Sequence, residues 1–179
     1  MTTNKYPDKT VYLAGPITGL TYQDARFGWR QEFAGYLPPH IHPMSPIRFK
    51  DYLSGEESLA GDPDMYPAHL LSRPKGIVCR DHNDLRTADA MVACFLGANK
   101  ASIGTCIEFG WAHAYDIPLV MVIEDEGKIA QPDLVHPREL QTMVDNPHWH
   151  AMLTEIAGYV TPSLEEAAKV VEYLLTPGI

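Results

Sequence analysis

Two uninterrupted apolar runs, DAMVACFLG at residues 89–97 and IPLVMVIED at 117–125, are separated by GTCIEFGWAHAYD at 104–116, which has helical period. Apolar runs of this length with no polar alternation are strands buried on both faces. An intervening helix long enough to cross back makes them neighbours in a parallel sheet. The same grammar recurs earlier, where TVYLAGP at 10–16 reads as a buried strand ended by Gly-Pro. From Thr21 a helical stripe follows through Ala25, Trp29, Phe33 and Tyr36, with Thr21 and Asp24 placed to cap its start. GIVCRDHNDLRTA at 76–88 reads as a further helix, and a second strand is expected near residues 40–45. At the C-terminal end Ser163 and Glu166 form a capping box ahead of a stripe made by Leu164, Ala167, Ala168, Val171 and Leu175. The expected fold is α/β, a flavodoxin/Rossmann-like three-layer arrangement with a parallel five-stranded sheet, in one domain over 1–179. A loop rich in Pro, Gly, His and Ser, at about 46–75, reads as either a substrate cover or a disordered segment.

Charge excludes some functions. A formal net charge of −9 lacks the clustered Lys and Arg that a nucleic-acid polyanion requires. No run approaches the roughly 20 apolar residues of a membrane span, and the polar first ten residues lack the apolar core of a signal peptide, so a cytoplasmic location is expected. Cys79, Cys94 and Cys106 are odd in number and far apart, as reduced structural thiols are. The pairs His40/His42 and His148/His150 have no Cys or carboxylate companions in the sequence, which argues against a metal, and no nucleophile elbow accompanies them. AGPITG is not the Gly-x-Gly-x-x-Gly of a dinucleotide fold, so no cofactor is implied.

In an open parallel sheet ligands bind beyond the carboxyl ends of the strands. GPITGL after the first strand, the segment before Asp81, and GANKASIGT after the 89–97 strand all reach that edge. Glu108 follows the last of these, near the start of a helix whose dipole favours the ionised carboxylate, with Ile107 and Trp111 expected to pack inward. It is either a first-turn glutamate without a chemical task or one of two carboxylates, with Asp81, able to attack a sugar carbon and manage a proton.

VYLAGPITG at 11–19, RDHNDLRTADAMVACFLG at 80–97 and SIGTCIEFGWAHAYDIPLVMVI at 102–123 resemble the nucleoside 2-deoxyribosyltransferase superfamily, which includes the 2'-deoxynucleoside 5'-phosphate N-hydrolases. The Gly-Thr-x-x-Glu-x-Gly-x-Ala helix is the specific motif, and the resemblance is weak over 37–75 and the C-terminal third. It implies that Glu108 is the nucleophile that forms a covalent glycosyl ester. Asp81, eight residues before Asp89, would be the acid that assists the leaving base by hydrogen bonding or proton donation, and Tyr12 the hydroxyl that orients the glutamate. From the residues alone Tyr12 is a core aromatic on a buried strand, and Gly15, Pro16, Ile17 and Gly19 are equally an ordinary Gly-Pro turn; the resemblance makes that loop a substrate contact. Ser102 stands where the transferases commonly carry an aspartate for the 5'-hydroxyl. With Gly104 and the helix start, Ser102 could instead receive a 5'-phosphate, helped by Arg26 or Arg30. The resemblance further implies a homodimer or larger homo-oligomer in which a residue from the neighbouring subunit completes the 5' end. Asn146 is the candidate, a turn or helix-cap role being the alternative. The expected ligand is a small nucleoside or nucleotide and the expected reaction is N-glycosidic cleavage. Base exchange on deoxynucleosides and non-catalytic nucleotide binding are the alternatives.

Overall fold

A computed structural model describes residues 6–61, 66, 69–132 and 141–177. Five strands, β1 (Lys9–Ala14), β2 (Ile41–Met44), β3 (Ala90–Cys94), β4 (Leu119–Val122) and β7 (Tyr159–Thr161), form one parallel sheet in the order β2-β1-β3-β4-β7. This is the flavodoxin-type order. The chain first winds outward through β2, then returns past β1 to β3, so the crevice of the switch point opens between the carboxyl ends of β1 and β3. Among the described residues no helix is long and apolar enough to cross a membrane.

Strand alternation sorts the core into two layers. Val11 and Leu13 of β1 point to the face covered by α2 (Gly28–Tyr36) and α6 (Leu164–Leu175), where Phe33, Leu164, Ala167, Ala168, Val171 and Leu175 are buried. Tyr12 and Ala14 point to the opposite face, against Leu85 of α3 (Pro74–Thr87) and Phe109 and Ala112 of α4 (Ile103–Ala114). All five residues of β3 are buried, as its unbroken apolar run required. Ser163 caps α6 by accepting from the Glu166 amide, and Pro74 occupies the first turn of α3, where its missing N–H costs nothing.

The helix expected from Thr21 is two helices. Thr21 caps α1 (Tyr22–Arg26) by accepting from the Asp24 amide, and the chain bends at Phe27 before α2 begins at Gly28. The bend frees the Ala25 carbonyl, and the Arg30 guanidinium donates to it at 2.9 Å. Tyr36, expected on the apolar stripe, is exposed, and Trp29 lines the cleft at the switch point. Between β4 and α5 (Ala151–Ile156) lies an antiparallel pair, β5 (Lys128–Pro132) and β6 (Gln141–Asp145), which no period in the sequence announced.

The long loop follows β2. Its described part contains short turns at Asp51–Leu53 and Leu70–Ser72 and a small apolar cluster of its own, Ile47, Leu53 and Leu59 with Tyr22 and Ala25 of α1. Residues 62–65, 67 and 68, which belong to the same loop, lie outside the described residues. Backbone bonds from Gly19 to Leu59 O and from Leu59 to Leu20 O, both under 3 Å, tie this loop to the one after β1. It thus forms a wall of the crevice.

Candidate active site

The crevice is a cleft of about 880 Å³. Gly15, Pro16, Ile17 and Gly19 come to it from the loop after β1, Asp81 from α3, and Ser102, Gly104 and Glu108 from α4 and the residue preceding it. Gly15 is required there: a Cβ at this position would stand 2.8 Å from the Cys94 carbonyl at the end of β3 and 3.1 Å from the Trp29 ring. The absence of a side chain is what lets the ends of β1 and β3 approach. Gly19 has φ +86°, which lets the same loop turn back to meet Leu59.

Glu108 sits in the second turn of α4, not its first, and is one of four residues on the helix face that is buried, with Thr105, Phe109 and Ala112. Ile107, expected to pack inward, is half exposed. The Tyr12 hydroxyl, fully buried beneath the sheet edge, donates to Glu108 Oε1 at 2.6 Å. Removal from water pushes the Glu108 carboxyl up to about 7, against the Tyr12 hydrogen bond that favours its charged form; the nearby Asp81 carboxylate adds to the rise. The helix dipole expected to hold Glu108 ionised is therefore outweighed by desolvation. Tyr12 is raised well above its ordinary value by burial and by Glu108, so its hydroxyl remains a donor.

Asp81 is likewise buried, and burial raises its carboxyl while Arg80 opposes the rise. Arg80 Nε and Nη2 both donate to Asp81 Oδ1, at 2.9 and 2.7 Å, and Nη2 also donates to the Pro46 carbonyl. Asp84, the sequence competitor of Asp81, is instead paired with Arg48 at 2.7 Å and does not line the cleft. Arg80 escaped notice because successive residues on a helix do not ordinarily face each other.

Ser102 occupies the N-cap position of α4, but its hydroxyl pairs with Thr105 Oγ1 at 2.9 Å instead of capping an amide. Its backbone N–H donates to His148 Nε2 at 2.8 Å. His148 is fully buried, stacks on Phe95 with ring centroids 4.0 Å apart, and has Nδ1 3.0 Å from Asn146 Oδ1. Accepting at Nε2 assigns the proton to Nδ1, the neutral tautomer, and burial lowers the ring's affinity for a second proton.

Two expectations need correction. Asn146 does not reach out toward another subunit's substrate. It is 2% exposed, and its amide donates to Phe95 O at 2.7 Å and to Glu124 Oε2 at 2.9 Å while its oxygen accepts from the His148 amide. The turn role is the one observed. Arg30 is not free for a phosphate: its guanidinium is consumed by the carbonyls of Leu13, Gly15 and Ala25 beneath the first loop. Arg26 does not line the cleft either, but Lys100 does. The histidines of the two pairs have separate partners, Thr176 for His40, Asp8 for His42, and the start of α5 for His150.

The model of the nucleoside 2-deoxyribosyltransferase family matches residues 11–162. No curated protein matches the chain. Among solved structures, a conserved protein from Enterococcus faecalis is similar at 20% identity and a TM-score of 0.59, covering 93% of this chain and 98% of that one. A 2-deoxyribosyltransferase from Leishmania mexicana is 19% identical with a TM-score of 0.51, covering 92% and 96%. The CMP N-glycosidase of Clostridium botulinum is 13% identical with a TM-score of 0.50, covering 93% and 100%. At these identities the structures speak for the fold, while the family match spans the first strand, both carboxylates and the last strand. The chain belongs to the nucleoside 2-deoxyribosyltransferase family.

Proposed function

We propose that this protein cleaves the N-glycosidic bond of a (2'-deoxy)nucleoside 5'-monophosphate through a covalent glycosyl ester on Glu108, which water then resolves. Membership of the family makes it an enzyme of nucleoside N-glycosidic bonds. The observation that carries the finer reading is the buried Tyr12 to Glu108 hydrogen bond at the β1/β3 crevice. A hydroxyl on Oε1 fixes the carboxylate and leaves Oε2 to attack the anomeric carbon. As the ester forms, the pair of the carbon–nitrogen bond moves into the base, which Asp81 orients by a hydrogen bond. Water then attacks the ester, its hydroxyl going to the sugar and its proton replacing the one the departing base takes up, and Glu108 is restored as a carboxylate.

The 5'-phosphate is supported by Ser102, by the first-turn amides of α4, which no side chain caps among the described residues, and by Lys100 beside them in a chain of net negative charge. One fold relative, the Clostridium botulinum enzyme, is a CMP N-glycosidase, so a nucleotide is the substrate of that protein. The test is product identity. Nucleosides and their 5'-monophosphates are incubated with and without a second base. Free sugar 5-phosphate without base exchange is expected; an exchanged product makes the protein a transferase, and faster turnover of the unphosphorylated nucleoside refutes the phosphate assignment. A wild type that binds nucleotides and turns over none is the non-catalytic module. The reading includes a homo-oligomer, to be checked by light scattering.

A further inference from the structure

In the loop after β2 the ordinary partition of side chains is reversed. Phe49 takes a left-handed backbone conformation, φ +62°, and is 73% exposed, while the next residue, Lys50, is 6% exposed and lines the cleft. Phenylalanine in solvent, lysine out of it and a strained non-glycine φ are each unfavourable, and such combinations persist where surrounding structure enforces them. A lysine buried for structural reasons normally meets a carboxylate. Among the described residues, however, Nζ of Lys50 makes no hydrogen bond or ion pair, and the adjacent Asp81 has one oxygen already committed to Arg80. The loop that carries Lys50 is held against α3 by the bonds from Arg80 to the Pro46 carbonyl and from Arg48 to Asp84, and Lys50 lines the same cleft as Asp81.

Resting on the glycosyl-transfer reading above, we propose that Lys50 is a further catalytic residue, whose ammonium meets the base at the Asp81 side and protonates it as the glycosidic bond breaks. Glu108 forms its bond to the anomeric carbon, and the carbon–nitrogen pair passes to the base, which takes a proton from Lys50 and leaves neutral. The water that later hydrolyses the ester gives its hydroxyl to the sugar, and its proton restores the ammonium through solvent. Burial and the neighbouring Arg80 bring Lys50 down to about 8, a group still largely charged at neutral pH yet ready to give up a proton.

The test compares Lys50→Met with wild type on two substrates, the nucleotide that the enzyme accepts and its analogue with one fluorine on the base. The fluorine makes the base a better leaving group at almost the same size. Lys50→Met is expected to lose about 10²-fold in kcat/KM on the parent nucleotide and less than about tenfold on the fluorinated one, because assistance matters most for the poorer leaving group. Wild type should treat the two alike within a few-fold. Equal losses on both substrates, or no loss on either, overturn the proposal while leaving the Glu108 reading intact. If wild type cleaves no nucleoside or nucleotide at all, the Glu108 reading fails, and the role of Lys50 fails with it.

Discussion

Glu108 carries opposite consequences for catalysis and for stability. Its carboxyl lies near 7 in the folded protein against an ordinary value of 4.5, so the folded state holds a proton that the unfolded chain releases. Stability from this group is fully present below about pH 4.5 and is lost as pH rises to about 7, beyond which the buried charge costs about 3 kcal/mol at most. Turnover runs the other way, because attack needs the ionised form; kcat/KM should rise with pH through about 7 and, with Lys50 as the acid, fall again above about 8. Glu108→Gln keeps an acceptor for the Tyr12 hydroxyl and removes the charge. At pH 8 it should melt several degrees above wild type, at roughly 2–4 °C per kcal/mol, and at pH 4.5 the two should melt together. Its turnover should fall by about 10⁴-fold or more. A variant no more stable than wild type at pH 8 would mean that the carboxyl is not desolvated. The position of Glu108 was legible from a single motif, whereas its protonation was not: the helix rule is local, and burial is set by β1, 96 residues away.

Elements were legible where their periods were strong. β3 and β4 announced themselves as unbroken apolar runs and α6 as a capped stripe, since both signals arise within the element. Asn146 and His148 belong to a turn without a period, and a polar side chain there looks the same whether it faces a ligand or braces its own chain. Only the fold brings them under the start of α4, 46 residues back for the His148 to Ser102 bond. Lys50 was hidden for the same reason, as composition assigns a lysine to solvent and a phenylalanine to the core. Contacts between elements also make a prediction about the strand ends. Gly15→Ala puts a methyl group against the backbone of β3, which cannot yield as a side-chain tip would. It should cost about 1–3 kcal/mol, read as a drop in thermal midpoint, and should depress turnover by spreading the crevice. Gly104→Ala, whose Cβ meets open space in a helix, should leave the midpoint unchanged or slightly raised. Similar losses in the two variants would show that the β1/β3 approach is not the constraint.

At the scale of the molecule, sheet order, first-loop glycines and α4 converge on one cleft whose two ends differ in chemistry. Asp81, backed by Arg80, and Lys50 line it beside α3 and the loop after β2, and Ser102 and Lys100 line it at the start of α4. A ligand that spans both should stabilise the protein more than one that meets either alone, because only binding to the folded state counts. With Glu108→Gln to prevent turnover, the accepted nucleoside 5'-monophosphate at about a hundred times its dissociation constant should add about 2.7 kcal/mol, a rise of roughly 5–10 °C in the thermal midpoint. At the same concentrations the parent nucleoside and inorganic phosphate should each give a smaller rise, and added salt should diminish the difference between nucleotide and nucleoside, since a phosphate beside an exposed Lys100 is partly screened. A nucleoside that stabilises as strongly as its monophosphate would remove the phosphate from the helix start and leave Ser102 facing a hydroxyl.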